Sequence, residues 1–200
     1  SGIKVELLRI DEINPVISGN KWFKLKYTLE KIVNEHYAGL ITQGGAFSNH
    51  LMASAYACKN LGLKSVGIIR GEAPKTISPT LRDLQNYGME LIFVNREVYK
   101  DKSALLSIVE ENYNSYYWVE EGGRSKAGVQ GASEILPLAS PQQFSHILCA
   151  VGTGTMMAGI DNSSSTEQKI IGIPVLKIKD TDENEITQFL RAQCNKNNYE

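Results

Sequence analysis

Hydrophobic positions recur along the chain in two alternating patterns. Short runs rich in Val, Ile and aromatic residues predict strands over Ile3–Arg9, Gly39–Thr42, Lys64–Ile69, Glu90–Val94, Tyr116–Val119, His146–Val151 and Lys169–Val175. Between them, apolar residues three and four apart predict helices over Lys21–Asn34, Asn49–Leu61, Pro79–Tyr87, Lys102–Tyr113, Lys126–Leu136, Thr155–Ile160 and Glu183–Cys194. A crossover helix between successive strands brings them side by side in parallel. The prediction is therefore an α/β fold of open, mostly parallel twisted sheets with helices on both faces. The Ser-rich stretch 161–166 reads as a surface loop, and the loops Gly71–Ser78 and Pro137–Pro141 are the places where the chain could divide into lobes.

Composition narrows the partners. With 42% hydrophobic residues the chain can bury a core, and 21 basic against 22 acidic residues leave no field to attract nucleic acid or a membrane surface. A small molecule or a second copy of the chain fits better. Cys58, Cys149 and Cys194 are odd in number and far apart, which argues against a disulfide framework or a thiolate metal site and suits a reducing, cytoplasmic setting. His36, His50 and His146 have no metal-ligand spacing. No apolar run approaches the roughly 20 residues that span a bilayer.

Candidate chemistry lies in the glycine-bearing turns. In Ser18-Gly19-Asn20-Lys21-Trp22-Phe23-Lys24, Lys21 opens a helix, where the positive end of the helix dipole disfavours an ammonium and favours a neutral, nucleophilic amine. A lysine is more often simply solvated. Trp22, Leu25, Leu29 and Ile32 lie at helical spacing and are expected to pack in the core. In Gly44-Gly45-Ala46-Phe47-Ser48-Asn49-His50, Ser48 is an N-cap candidate beside N–H groups that could take a carboxylate. A plain cap, with Phe47 and Met52 as its hydrophobic staple, accounts for these residues equally well.

The segment Gly152-Thr153-Gly154-Thr155 joins a strand to a helix, an arrangement that presents backbone N–H groups and two hydroxyls to a phosphate. Tight packing of helix on sheet explains it equally well. It is neither a Walker A loop, since Gly159 is followed by Ile160 and Asp161, nor a dinucleotide fingerprint, since Met157 stands where the third glycine belongs. A fourth turn, Glu121-Gly122-Gly123, follows another strand. In an open α/β sheet the turns beyond the strands' carboxyl ends line one crevice, so the last three motifs should face a common site.

Taken in order, SGNKWFKLKY, GGAFSNH, the EGG turn and GTGTMMAG resemble the landmarks of the 1-aminocyclopropane-1-carboxylate deaminase and D-cysteine desulfhydrase family, fold type II pyridoxal-phosphate enzymes like the tryptophan synthase β chain. The resemblance covers about Ile3 to Val175. It implies pyridoxal 5'-phosphate as cofactor, Lys21 as the Schiff-base lysine, Asn49 on the ring oxygen, and Gly152, Thr153, Gly154 and Thr155 on the phosphate. Ser48, with the backbone of Asn49 and His50, would bind the substrate carboxylate, and Ser48 would assist proton transfer. The same resemblance implies a homodimer and two lobes flanking the crevice: a smaller one over 39–138 and a larger, cofactor-binding one over 1–38 and 139–200.

The implied reaction is elimination from a D-cysteine-like amino acid, giving pyruvate, ammonia and sulfide, or deamination of 1-aminocyclopropane-1-carboxylate. His50 stands where the deaminases carry Gln, which favours desulfhydrase-like chemistry. Serine racemase or dehydratase chemistry shares the first steps, and a protein that binds the cofactor without turnover would share the scaffold. Family members begin earlier and continue further, so the chain is expected to be part of a longer protein, with the partner of the pyridine nitrogen outside it.

Overall fold

Among the described residues, six strands and the helices between them form two parallel sheets that meet across a helix pair. The structure, a computed structural model, describes residues 2–175 and 180–200, the side chains of 180–184 aside. In the first sheet the order is β3 (Met89–Val94), β2 (Lys64–Arg70), β1 (Gly39–Gly44), β4 (Tyr116–Val119). All its pairings are parallel, with Gly39 opposite both Lys64 and Tyr116. Side-chain alternation in these strands supplies two apolar faces, and both are covered. Leu51, Ala55, Leu81 and Leu84 of α2 (Asn49–Leu61) and α3 (Pro79–Asn86) close on Ile69 and Met89, while Leu105 and Val109 of α5 (Lys102–Asn112) close on Ile41, Val66 and Ile68.

The second sheet pairs β5 (His146–Val151) with β6 (Lys169–Pro174), again in parallel. On one face α7 (Thr155–Ser163) and α8 (Asp180–Gln193) bury Cys149, Val151, Met157, Ile170 and Leu190 together. The chain from Asn198 to Glu200 begins a second ladder on β6, through Ile170 N–H to Asn198 O, Gly172 N–H to Glu200 O and Glu200 N–H to Ile170 O. Buried Asp161 holds that tail by accepting from the backbone N–H groups of Lys196, Asn197 and Asn198.

The two sheets are joined through α1 (Lys21–Asn34) and α6 (Lys126–Ala132). Their backbones touch at Gly131, where a Cβ would stand 1.7 Å from the carbonyl oxygen of Phe23. No side chain fits there, so glycine is what allows α1 to lie flat on α6. This contact sets the height of the α1 N-terminus relative to both sheets.

Most expected elements stand within a residue or two of their predicted ends. Ile3–Arg9 is a correction: it forms no strand, and Ile3, 93% exposed, has no ladder partner among the described residues. Alternation alone could not show that a neighbouring edge was lacking. The helix expected over Lys126–Leu136 stops at Ala132 and gives way to a 3-10 turn over Leu136–Ala139, where Pro137 has no N–H to continue an α-helical ladder. Thr155–Ile160 runs on to Ser163, through part of the predicted surface loop. The short α4 (Arg96–Lys100) was not expected; Asn95 caps it by accepting from Glu97 and Val98 N–H.

Candidate active site

The N-terminus of α1 is built around its lysine instead of its cap. Asn20 holds the N-cap position, but its side chain bonds no N–H of the helix. Its Oδ1 accepts from Lys21 Nζ at 2.6 Å, and its Nδ2 lies 3.1 Å from the sulfur of Met156 in α7. A residue that would normally satisfy the helix end therefore aims the Lys21 amine and ties it to the second sheet. No acidic residue lies in the first turn. Burial lowers the Lys21 pKa, as an amine nucleophile requires.

One helical turn further on, Lys24 is only 5% exposed and makes no ion pair or side-chain hydrogen bond among the described residues. Its pKa falls to about 7, through burial first and then the Lys21 charge, with Cys149 opposing. The motif reading passed over it. The signal was there, since residues i and i+3 share a helix face and Lys21 already marked that face. Trp22, expected in the core, is 40% exposed on the other side of α1; Leu25, Leu29 and Ile32 are buried as predicted. It edges an apolar groove of about 580 Å³ between α1 and α2, away from Lys21's face.

At the mouth of α2, Ser48 is the N-cap: its Oγ accepts from Leu51 N–H at 3.3 Å. Asn49 is exposed, and the cap leaves the first N–H groups of the helix, those of Asn49 and His50, to be met from outside. The expected staple is not made, because Phe47 is 76% exposed. The His50 ring turns inward, with Nε2 3.0 Å from Thr42 Oγ1, whose hydroxyl donates to Val119 O at 2.7 Å. Gln43 Oε1 and His50 Nδ1 are buried without hydrogen-bond partners, so two acceptors stand bare at the carboxyl end of β1. Buried polar groups are normally satisfied, and two such exceptions together fit a site shaped for a ligand.

The Gly152–Thr155 turn opens α7. Gly154 takes a left-handed φ of 81° and supplies no side-chain cap, so the N–H groups of the first turn face outward unblocked. Thr153 and Thr155 hydroxyls lie 3.0 Å apart, and a Cβ on Gly152 would meet nothing within 4 Å. Behind the turn, Phe189, Ile186 and Leu190 of α8 pack against Gly154. Arg124 stacks on Phe189 at 4.7 Å and donates to Glu185 O at 3.0 Å, which fastens α8 to the Glu121–Gly123 turn.

That turn joins the motifs. Gly122 and Gly123 have φ of 69° and 72°, and a Cβ on Gly122 would stand 2.9 Å from Thr153 Cγ2. A Cβ on Gly123 would stand 3.1 Å from Lys24 Cβ and 3.8 Å from His50 Cε1. Two backbone-only residues thus separate the Lys21–Lys24 face of α1, the mouth of α2 and the threonine turn. The expected convergence of the second, third and fourth motifs is observed, and α1 joins them. An outward-facing helix start with two hydroxyls, open space over Gly152 and a buried cation nearby together match a phosphate-bearing group.

Comparison with known proteins identifies the family. Residues 2–196 match the profile of the family described as "Pyridoxal-phosphate dependent enzyme". A Thermotoga maritima protein provisionally named 1-aminocyclopropane-1-carboxylate deaminase is 29% identical over 191 residues, 92% of this chain and 60% of that protein. The mitochondrial bifunctional D-cysteine desulfhydrase/1-aminocyclopropane-1-carboxylate deaminase of Arabidopsis thaliana is 28% identical over 184 residues, 82% of this chain and 46% of that protein. The chain thus spans roughly half the length of these relatives. A crystal structure described as an ACC deaminase homologue superposes with a TM-score of 0.76 at 24% identity, covering 90% of this chain and 58% of that one, and so shares the fold.

Proposed function

Because this chain belongs to the family of pyridoxal-phosphate dependent enzymes, we propose that it acts as a lyase or deaminase on a small amino acid, by D-cysteine desulfhydrase-like β-elimination to pyruvate, ammonia and sulfide or as a 1-aminocyclopropane-1-carboxylate deaminase. The observation that carries the reading is the meeting of a half-buried lysine, an open helix mouth and an uncapped threonine turn around Gly122–Gly123. The names of the relatives above support the choice of reactions.

When bound, pyridoxal phosphate supplies an aldehyde for a lysine amine and a ring that withdraws electrons from the substrate's α-carbon. Gly152, Thr153, Gly154 and Thr155 would hold its phosphate through N–H and O–H donors, with Lys24 as the nearby cation. Asn49 would bond the ring oxygen. Lys21 would be the amine that holds the aldehyde, and with a substrate that carries an α-proton, such as D-cysteine, its amine would take or return that proton, a task helped by burial that lowers its pKa. The Asn49 and His50 N–H groups would grip the substrate carboxylate. Ser48 Oγ, engaged as the cap of α2, would orient that grip and assist proton transfer at the substrate.

Two lobes, 39–138 against 1–38 with 139–200, a homodimer and a cytoplasmic setting complete the reading. The three buried free cysteines suit the last of these. The test is to add pyridoxal phosphate and assay each substrate. The reading requires a near-visible band that is lost in Lys21→Ala, together with pyruvate from D-cysteine or ammonia from 1-aminocyclopropane-1-carboxylate. Colour without either product favours a binding protein.

A further inference from the structure

Two buried groups behind the Gly122–Gly123 turn each have what the other needs. The carbonyl of Val119 can only accept, so the Thr42 hydroxyl spends its proton there, at 2.7 Å. Thr42 Oγ1 must then accept from His50, 3.0 Å away, which puts the imidazole proton on Nε2 and leaves Nδ1 as a lone pair. That lone pair is buried without a partner on a side chain 3% exposed. Lys24 is a largely buried residue, 5% exposed, whose amine has donors and no protein acceptor among the described residues. Both border the same point, since a Cβ on Gly123 would lie 3.1 Å from Lys24 Cβ and 3.8 Å from His50 Cε1, the carbon bonded to Nδ1.

We propose that His50 is the positioning residue for Lys24: tied to Thr42 through Nε2–H, it accepts a hydrogen bond from the Lys24 ammonium at Nδ1 and holds that cation toward an anion at the Gly152–Thr155 turn. Lys24 has a flexible stem of four methylenes and reaches the lone pair by rotation, whereas His50 is fixed by Thr42 at one end and by its helix at the other. The pairing removes the cost of a buried acceptor without a donor and gives the Lys24 amine a fixed protein partner. The charged neighbours agree. Burial, then Lys21 and Lys24, hold His50 down to about 3, so Nδ1 stays an acceptor at neutral pH, and Lys24 at about 7 gains its proton as an anion approaches. Cys149, raised to about 11 by burial, stays a thiol and does not compete for Lys24.

The anion in this inference rests on the phosphate reading above, whereas the Lys24–His50 pair does not, and two measurements keep them apart. Nitrogen-15 spectra of the ligand-free chain report the tautomer directly. The expected result is Nε2-protonated His50 with an Nδ1 resonance that moves in Lys24→Met; an Nδ1-protonated ring, or an Nδ1 signal indifferent to Lys24→Met, overturns the proposal. The second measurement compares the affinity of pyridoxal phosphate with that of pyridoxal, which lacks the anion. His50→Gln keeps a donor for Thr42 but has no acceptor at the Nδ1 position, and should lose about tenfold on the phosphate ester with little change on pyridoxal. His50→Asn, which restores an acceptor near that position, should recover most of the loss. Equal losses on both ligands, in variants whose circular dichroism melts match the parent, overturn it. If the parent binds neither ligand, the phosphate reading fails and the spectra alone decide the pair.

Discussion

The two sheets are built by the same βαβ rule and end in different states. In the four-stranded sheet, helices cover both faces, and the central strands are buried almost throughout. In the β5–β6 pair the described residues cover only the α7–α8 face; on the other, Leu148 opposite Ile171 and Ala150 opposite Ile173 form an apolar stripe, with Leu148 61% exposed. Parallel strands normally have both faces covered. The first sheet therefore supplies a rigid frame for the mouth of α2, while the threonine turn depends on α8 behind it and on the α1–α6 contact for its place relative to Lys21.

Changes at the contact between these halves should have the largest effect. Gly131→Val drives side-chain atoms into the Phe23 carbonyl, and an expected cost above about 4 kcal/mol leaves little folded chain by circular dichroism. Within the covered sheet, Ile41→Ala should cost about 3 kcal/mol in urea denaturation, the usual price of a buried aliphatic truncation. Acid should also weaken this half. His50 has a folded pKa of about 3 against 6.5 when unfolded, so its contribution to stability is complete above pH 6.5 and is lost as pH falls toward 3. His50→Gln should accordingly narrow the gap between urea midpoints measured at pH 7 and pH 4. Ser48→Ala removes one cap bond and should cost about 1 kcal/mol. Leu148→Ser should change stability by less than about 0.5 kcal/mol; a loss as large as that from Ile41→Ala would erase the contrast between the sheets.

Strand and helix positions were legible because each predicted run carries one period over its whole length, and most runs are buried as that period requires. Ile3–Arg9 shows the limit: its alternation is real, yet a strand exists only beside another edge, which no local pattern contains. The site was legible at its turns, where glycine, serine and threonine mark backbone that must approach something. Lys24 and Thr42 were missed for the opposite reason. They sit inside regular elements, and their importance comes from what the fold places next to them, His50 and the Gly122–Gly123 turn. Phe47 and Trp22 read as packing residues and are not buried, since hydrophobicity alone does not say which side of an element meets the core.

With two depressed lysines one turn apart, the most direct test is which amine reacts. The chain is incubated with pyridoxal phosphate, reduced with borohydride and digested, and the phosphopyridoxyl group is located by mass spectrometry. Modification of the peptide carrying Asn20-Lys21-Trp22 at Lys21, with Lys24 unmodified, is the predicted result. Label on Lys24 in place of Lys21, or on neither, contradicts the account.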